Sequence, residues 1–548
     1  MDRLRVSRRL LVAAGAVIAV LVVAGGPAAA HKQKPNVGGT VVFGTDFEPP
    51  CVNPYINPCP QGITQLATVP TLAGAYRQRP DFLYEPVLVD RAKVGRSPFT
   101  LTYRIERRAK WSDGTPITAA DFVFTLETLL DPANQVVDRT GYDRIVEATA
   151  LDAKTVRFTF ARPFPAWRTL FPHVLPKHAL EGHDFDTVWN DGIVSPETGE
   201  PIASGPFLFA SWDRGQKMTL TRNGSWWGGH AAYLDSLEIG FYSPFSQPTV
   251  VQALADGLVD VIEPQAVQPT LTGLPGIALE QIPGRAIEHI EFNVASETMP
   301  LLREQWFREA VTHALDREGA ATEVGETFAT RELGVLDSLT YRSQQHEYRR
   351  HFARYDYDPE RTARIMGRHG CVLGADEIWS CGGTRASLRL TTTTGNPIRS
   401  LVQAHMKASA REAGIELVLE NVFAGVFFPV RLPAGDFDLA LFTLATSSGD
   451  PFGLGATYGC GGASNFMRYC SDKVTRLLED ADEELSESRR RSLVNRADAE
   501  LAEDLPAIPL FQRPMFLYSD ETVRGLAENP AAVFGPTWNA EEWWIAED

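Results

Sequence analysis

For nearly its whole length the chain alternates strand-like runs with amphipathic helices, and no low-complexity linker or internal repeat interrupts the alternation. Residues 40–45, 100–106, 155–160, 218–222 and 236–242 read as strands by their β-branched and aromatic content. Residues 289–294, 388–393, 415–421 and 437–444 continue the pattern. The helices between them have readable starts. Thr118 with Asp121 resembles a capping box ahead of residues 122–130. Asp358-Pro359-Glu360 supplies an N-cap, a first-turn proline and an acid that complements the helix dipole, predicting a helix to about residue 368. Residues 397–413 carry apolar positions at helical spacing and stop at Gly414, and residues 471–503 read as two charged helices. Over 548 residues this pattern predicts an α/β protein whose lobes are each visited more than once.

The first thirty residues predict export. Arg3, Arg5, Arg8 and Arg9 form a basic start, residues 10–24 are apolar and uncharged, and Gly25-Gly26-Pro27 precedes Ala28-Ala29-Ala30. Those are the parts of a signal peptide cleaved after Ala30. The apolar run falls short of the roughly 20 residues that a bilayer span needs. Ser7-Arg8-Arg9-Leu10-Leu11 loosely resembles a twin-arginine signal, so the general and twin-arginine export routes both stay open. The protein is expected outside the cytoplasm, periplasmic or at the cell surface.

Composition narrows the partners. A formal net charge of −17 argues against nucleic acid and anionic lipid, which both select basic surfaces. Hydrophobic content of 44% and charged content of 22% are those of a folded globular chain. The six cysteines fall into local pairs, Cys51 with Cys59, Cys371 with Cys381 and Cys460 with Cys470. In an exported chain these are expected as disulfides, each worth roughly 2–3 kcal/mol for such short loops. None of the pairs has the two-residue spacing of a zinc knuckle, and no metal or cofactor is expected.

A search for catalytic motifs returns nothing specific. The chain has no Gly-x-Ser-x-Gly elbow, no His-Glu-x-x-His, no phosphate-binding loop ending in Gly-Lys-Ser/Thr, and no Gly-x-Gly-x-x-Gly after a strand. His173, His178 and His183 recur every five residues, which does not align them on one helix face.

The informative segments are of another kind. Trp111-Ser112-Asp113-Gly114-Thr115-Pro116-Ile117-Thr118-Ala119-Ala120-Asp121-Phe122 resembles the signature of the family 5 extracellular solute-binding proteins, the peptide- and nickel-type receptors of bacterial ABC importers. Further blocks follow in that family's order: Ser204-Gly205-Pro206-Phe207, then Trp226-Trp227-Gly228-Gly229 and Tyr233-Leu234-Asp235, then Ala253-Leu254-Ala255-Asp256-Gly257-Leu258-Val259-Asp260 and Glu291-Phe292-Asn293. Phe307-Arg308-Glu309-Ala310, Ala314-Leu315-Asp316-Arg317, Tyr357-Asp358-Pro359-Glu360, Phe437-Asp438-Leu439 and Pro506-Ala507-Ile508-Pro509-Leu510 complete a resemblance over residues 38–515. Most of these residues read as scaffold: Asp113-Gly114 as a turn, Trp111 as core, Arg308 and Arg317 as partners of structure.

The resemblance implies a two-lobed periplasmic-binding-protein-like fold with two crossings and an extra subdomain in lobe one. Lobe one is expected at 31–285 plus 511–548, with the subdomain at about 76–200, and lobe two at 286–510. It further implies a monomeric receptor, not an enzyme, that closes on a peptide or peptide-like solute and delivers it to a membrane permease. A nickel-chelate, sugar or opine receptor on the same fold is the alternative; a secreted hydrolase or a sensory protein stands further off. Many relatives carry a lipidated cysteine after the signal, whereas His31 stands there in this chain, which predicts release instead of tethering.

For the pocket, Thr45, Asp46, Phe47 and Glu48 follow the first strand, where α/β sheets commonly open onto ligand. Thr393, Thr394 and Asn396 occupy an equivalent strand end in lobe two, and His289 and Glu291 lie on a predicted crossing. Peptide-type relatives often hold the ligand's ammonium with an aspartate just ahead of an Asp-Pro. The matching stretch here is Thr446, Ser447, Ser448, Gly449 and Asp450, with Ser447 at the carboxylate position.

Overall fold

A computed structural model of the protein describes residues 34–547 except 58, 60, 243–247, 265, 329–332, 445–450 and 532–534. Near its start β1 (Thr40–Thr45) leads to α1 (Gln61–Thr71). β2 (Val89–Arg96), β3 (Phe99–Ile105), β4 (Ile145–Asp152) and β5 (Thr155–Phe160) then form an antiparallel sheet in the order β2-β3-β5-β4. β3 buries every second residue, Phe99, Leu101, Tyr103 and Ile105, as the two-residue period of a one-sided strand requires. α2 (Ala119–Leu130) covers that face, and Tyr103 sits edge-on to Phe122, Phe158 and Phe171 at ring distances of 6.0, 5.9 and 6.3 Å. The expected capping box starts α2: the Thr118 hydroxyl accepts from the Ala120 N–H, and Asp121 accepts from the Thr118 N–H at 2.7 Å. Trp111 is fully buried.

β6 (Phe207–Asp213), β7 (Lys217–Arg222), β8 (Ser236–Phe241) and β9 (Val261–Ile262) lead to the long β10 (Ile277–Phe292). The helices α3 (Gln305–Ala314), α4 (Arg317–Phe328) and α5 (Pro359–Arg368) come next. β11 (Ser387–Thr393), α6 (Pro397–Glu412), β12 (Glu416–Val422) and β13 (Leu439–Leu444) follow. The helices α7 (Asp472–Glu483) and α8 (Glu487–Asp504) precede β14 (Ala507–Asp520). Asp358 caps α5 by accepting from the Arg361 N–H, and Gly414, at φ +80°, takes the left-handed turn after α6.

Among the described residues these strands make one ten-stranded sheet, ordered β12-β11-β13-β10-β14-β9-β1-β8-β7-β6. β1 runs parallel to β8 and β9, and β11 runs parallel to β12 and β13. Between these parallel groups lie β10 and β14, antiparallel to each other. Two large hydrophobic cores flank this central pair. The first draws on β1 to β9 with Leu517 and Trp543, and the second runs from Ile287 to Phe511. The division between cores thus falls inside β10 and β14, where Pro283 opposes Pro514 and the register slips after Pro283 and again after Glu288. A proline donates no ladder bond and belongs at such an irregularity.

The three cysteine pairs are disulfides with Cα separations of 5.3, 4.1 and 4.4 Å. Arg308 and Arg317 serve the scaffold. Arg308 donates to the carbonyls of Leu302, Arg303, Asp504 and Leu505, tying α3 to the end of α8. Arg317 reaches the Pro509 carbonyl and pairs with Asp337 at 3.2 Å.

Candidate functional site

Three cavities among the described residues are candidates for a solute site, and the second of them draws its walls from both sides of the central pair. The largest, about 360 Å³, opens beside the carboxyl ends of β1 and β9 and is lined by Thr45, Asp46, Phe47, Glu263, Arg285 and Met515, among others. A second, about 250 Å³, joins Ala266 to Thr393, Thr394 and Asn396 across the central pair, with Arg513 of β14 on its wall. The third, about 180 Å³, is aromatic, with Tyr55, Tyr76, Tyr142, Phe164 and, from beyond β13, Phe452. Gln65 lines it too, and its buried Oε1 has no hydrogen-bond partner.

These placements sort the residues singled out in the sequence. Thr45, Asp46 and Phe47 share one cavity, Thr393, Thr394 and Asn396 another. Burial raises the Asp46 carboxyl above its usual range. Glu48 accepts from the Trp212 indole N–H at 2.8 Å and from the Gly215 N–H at 3.0 Å, which ties it to the β6–β7 turn. Asn396 caps α6 by accepting from the Arg399 N–H at 3.1 Å. His289 and Glu291 are enclosed under the crossing: His289 Nδ1 meets the Phe442 carbonyl at 2.8 Å and its Nε2 lies 3.3 Å from Glu291. Burial raises the Glu291 carboxyl, and its Oε2 is without a partner. Thr446, Ser447, Ser448 and Asp450 lie outside the described residues.

Several polar residues at the seam were not legible in advance. Glu288, fully buried on β10, accepts from Arg399 Nε at 3.3 Å and from the Thr443 hydroxyl at 2.6 Å, and Arg513 stands 3.6 Å away. Arg399 also donates to Thr393 Oγ1 at 2.8 Å, so this buried group positions one wall of the second cavity. Desolvation lowers the Arg285 and Arg513 guanidinium pKa values from their ordinary value.

The halves also touch away from the central pair. Phe452 meets Phe164 edge-to-face at 4.8 Å, and the Arg144 guanidinium lies 5.2 Å from the Phe452 ring and 5.5 Å from that of Phe164. Arg144 donates to the Asp482 carbonyl of α7 at 3.4 Å, and the Asp482 carboxylate accepts from the Gly453 N–H at 3.0 Å.

Residues 84–465 match the profile of the bacterial extracellular solute-binding proteins, family 5, middle region, which is most of the chain. The chain belongs to this family. It is a substrate-binding receptor and not an enzyme. Oligopeptide-binding protein OppA of Mycobacterium tuberculosis is 27% identical over 439 residues, covering 76% of this chain and 70% of OppA. Among solved structures, the periplasmic EDTA-binding protein EppA superposes with a TM-score of 0.82 at 24% identity, covering 94% of this chain and 98% of EppA. The oligopeptide-binding protein AppA of Bacillus subtilis, in complex with a nonapeptide, gives 0.71 at 20% identity over 94% of this chain and 100% of AppA. These likenesses establish the two-lobed periplasmic-binding fold. Among the described residues no helix is long and apolar enough to span a membrane.

Proposed function

We propose that the protein is the exported receptor of an ABC importer, which captures a peptide or peptide-like solute by closing its lobes and hands it to a membrane permease. The lobes in this reading are 31–285 plus 511–548 and 286–510, with a subdomain at about 76–200, and the first thirty residues are a signal removed on export. The receptor acts as a monomer. The observation that carries the reading is the cavity that joins Ala266 to Thr393, Thr394 and Asn396: a cavity whose walls come from both sides of the central strand pair suits completion by lobe closure. A solute touching both walls favours the closed form by its differential affinity alone. The likeness to OppA supports peptide as the cargo class.

The reading is tested by mass spectrometry of whatever solute leaves the purified protein on denaturation, followed by calorimetric titration with peptide, metal-chelate, sugar and opine panels. Saturable binding of peptides at one per chain is expected. Saturable binding of chelates, sugars or opines alone would move the cargo to that class, and no saturable binding by any of them would overturn the receptor reading.

A further inference from the structure

The aromatic cavity of about 180 Å³ holds a buried acceptor that the fold leaves unsatisfied. Gln65, in the middle of α1, lines it while only 3% exposed, and its Oε1 has no hydrogen-bond partner. The phenols of Tyr55 and Tyr142 on the same lining are engaged with backbone: Tyr55 donates its hydroxyl to the His173 carbonyl, and the Tyr142 hydroxyl accepts from the Phe171 N–H at 2.6 Å. His173 Nδ1 meets the Leu72 carbonyl at 3.0 Å, and burial lowers the imidazole pKa to about 4, so the ring is neutral at pH 7. The charged side chains of the lining, Asp138 and Arg168, are both exposed, and the Arg168 guanidinium lies 4.2 Å from the Trp167 ring.

A buried amide oxygen without a donor is costly, and a ligand that brings the donor recovers that cost on binding. The walls define what should carry it. Tyr55, Tyr76, Tyr142 and Phe164 belong to lobe one in the proposed division and Phe452 to lobe two, just beyond the stretch 446–450 singled out in the sequence. Gly141, at φ +83°, makes room for Phe164, whose ring a Cβ there would overlap. Such walls favour an aromatic guest, packed edge-to-face or offset. The volume falls below the roughly 300–1,000 Å³ of sites that enclose a whole small ligand, so the cavity suits a single side chain. Among the described residues its buried lining carries no charge, which selects a neutral guest.

We propose that this cavity receives one aromatic side chain of the transported solute, a ring that carries a hydrogen-bond donor, phenol or indole, with Gln65 as the acceptor. The assignment rests on the receptor reading and names the side-chain chemistry that its cargo brings. Calorimetry on the full chain compares Gly-Tyr-Gly and Gly-Trp-Gly with Gly-Phe-Gly and Gly-Ala-Gly, which remove first the donor and then the ring. The tighter of the two donor-bearing peptides is expected to bind about tenfold better than Gly-Phe-Gly, and Gly-Phe-Gly about tenfold better than Gly-Ala-Gly. Which donor-bearing peptide leads tells phenol from indole. Gln65→Leu is expected to erase the donor advantage while holding the Gly-Phe-Gly affinity within about twofold. The four peptides on the wild-type chain need no variant and decide the assignment even where Gln65→Leu fails to fold. Equal binding of donor-bearing and phenylalanine peptides, an advantage that survives Gln65→Leu, alanine bound as tightly as phenylalanine, or saturable solute binding that none of the ring-bearing peptides shares, each overturns the aromatic assignment and leaves the receptor reading in place. No saturable binding by any solute overturns both.

Discussion

At the scale of single residues, the seam is held by buried charges whose environment sets their protonation. Glu528 is the sharpest case, because its carboxyl is raised to about 9 by burial and by Glu263 and Glu280. An acid whose folded pKa is raised stabilises fully below its unfolded value, about 4.3, and that contribution is lost as pH rises through the folded value. The wild-type melting temperature should therefore fall between about pH 5 and pH 9. Glu528→Gln should flatten that fall and melt several degrees higher at pH 9; superimposable melting profiles by circular dichroism would show that the site is not strained by charge. Glu288 makes the opposite prediction. Its carboxylate is the partner of Arg399, with Arg513 nearby, so Glu288→Ala leaves buried cations uncompensated and should cost about 3–5 kcal/mol in chemical denaturation. A loss below about 1 kcal/mol would mean that water already solvates the two arginines.

The elements show what a sequence can and cannot announce. Local chemistry was readable: the Thr118 box, the Asp358 cap and the Gly414 stop each act through hydrogen bonds to their own neighbourhood, and the strands 40–45 and 155–160 lie where β-branched alternation put them. Thr118→Ala should accordingly cost about 1 kcal/mol. The central strands run longer than the sequence pattern predicts. The sequence pattern predicts extended chain over residues 287–294, where β10 runs Ile277–Phe292, because Pro283-Gly284 has the signature of a break. Pairing with β14, itself interrupted by Pro509 and Pro514, overrides that local signal. The contact between Glu280 and Glu528 was invisible for a related reason. Glu280 and Glu528 are far apart in the chain, and only the fold brings the Glu528 N–H to Glu280 Oε2 at 3.1 Å. Between these extremes stand the disulfides, which proximity in sequence suggested. Cys371→Ser with Cys381→Ser should cost about 2–3 kcal/mol, read as a lower denaturant midpoint in the oxidised protein.

For the whole molecule, the issue is how two cores on one continuous sheet open and close. In the proposed closure β10 and β14 are the crossings, and their register slips, at the point where the cores divide, are where bending is expected. Away from that axis, Phe452, Phe164 and Arg144 hold the halves together through an aromatic pair and a stacked guanidinium. Phe452→Ala removes both contacts while leaving β10 and β14 unaltered. Solute affinity should drop about three- to tenfold by calorimetry, and an unchanged affinity would place that contact outside the closing motion. The central claim, capture by lobe closure, is tested most directly by small-angle X-ray scattering on protein stripped of bound solute and then titrated with it. The radius of gyration should fall and level off at one solute per chain; a radius that stays constant while binding saturates would contradict the account.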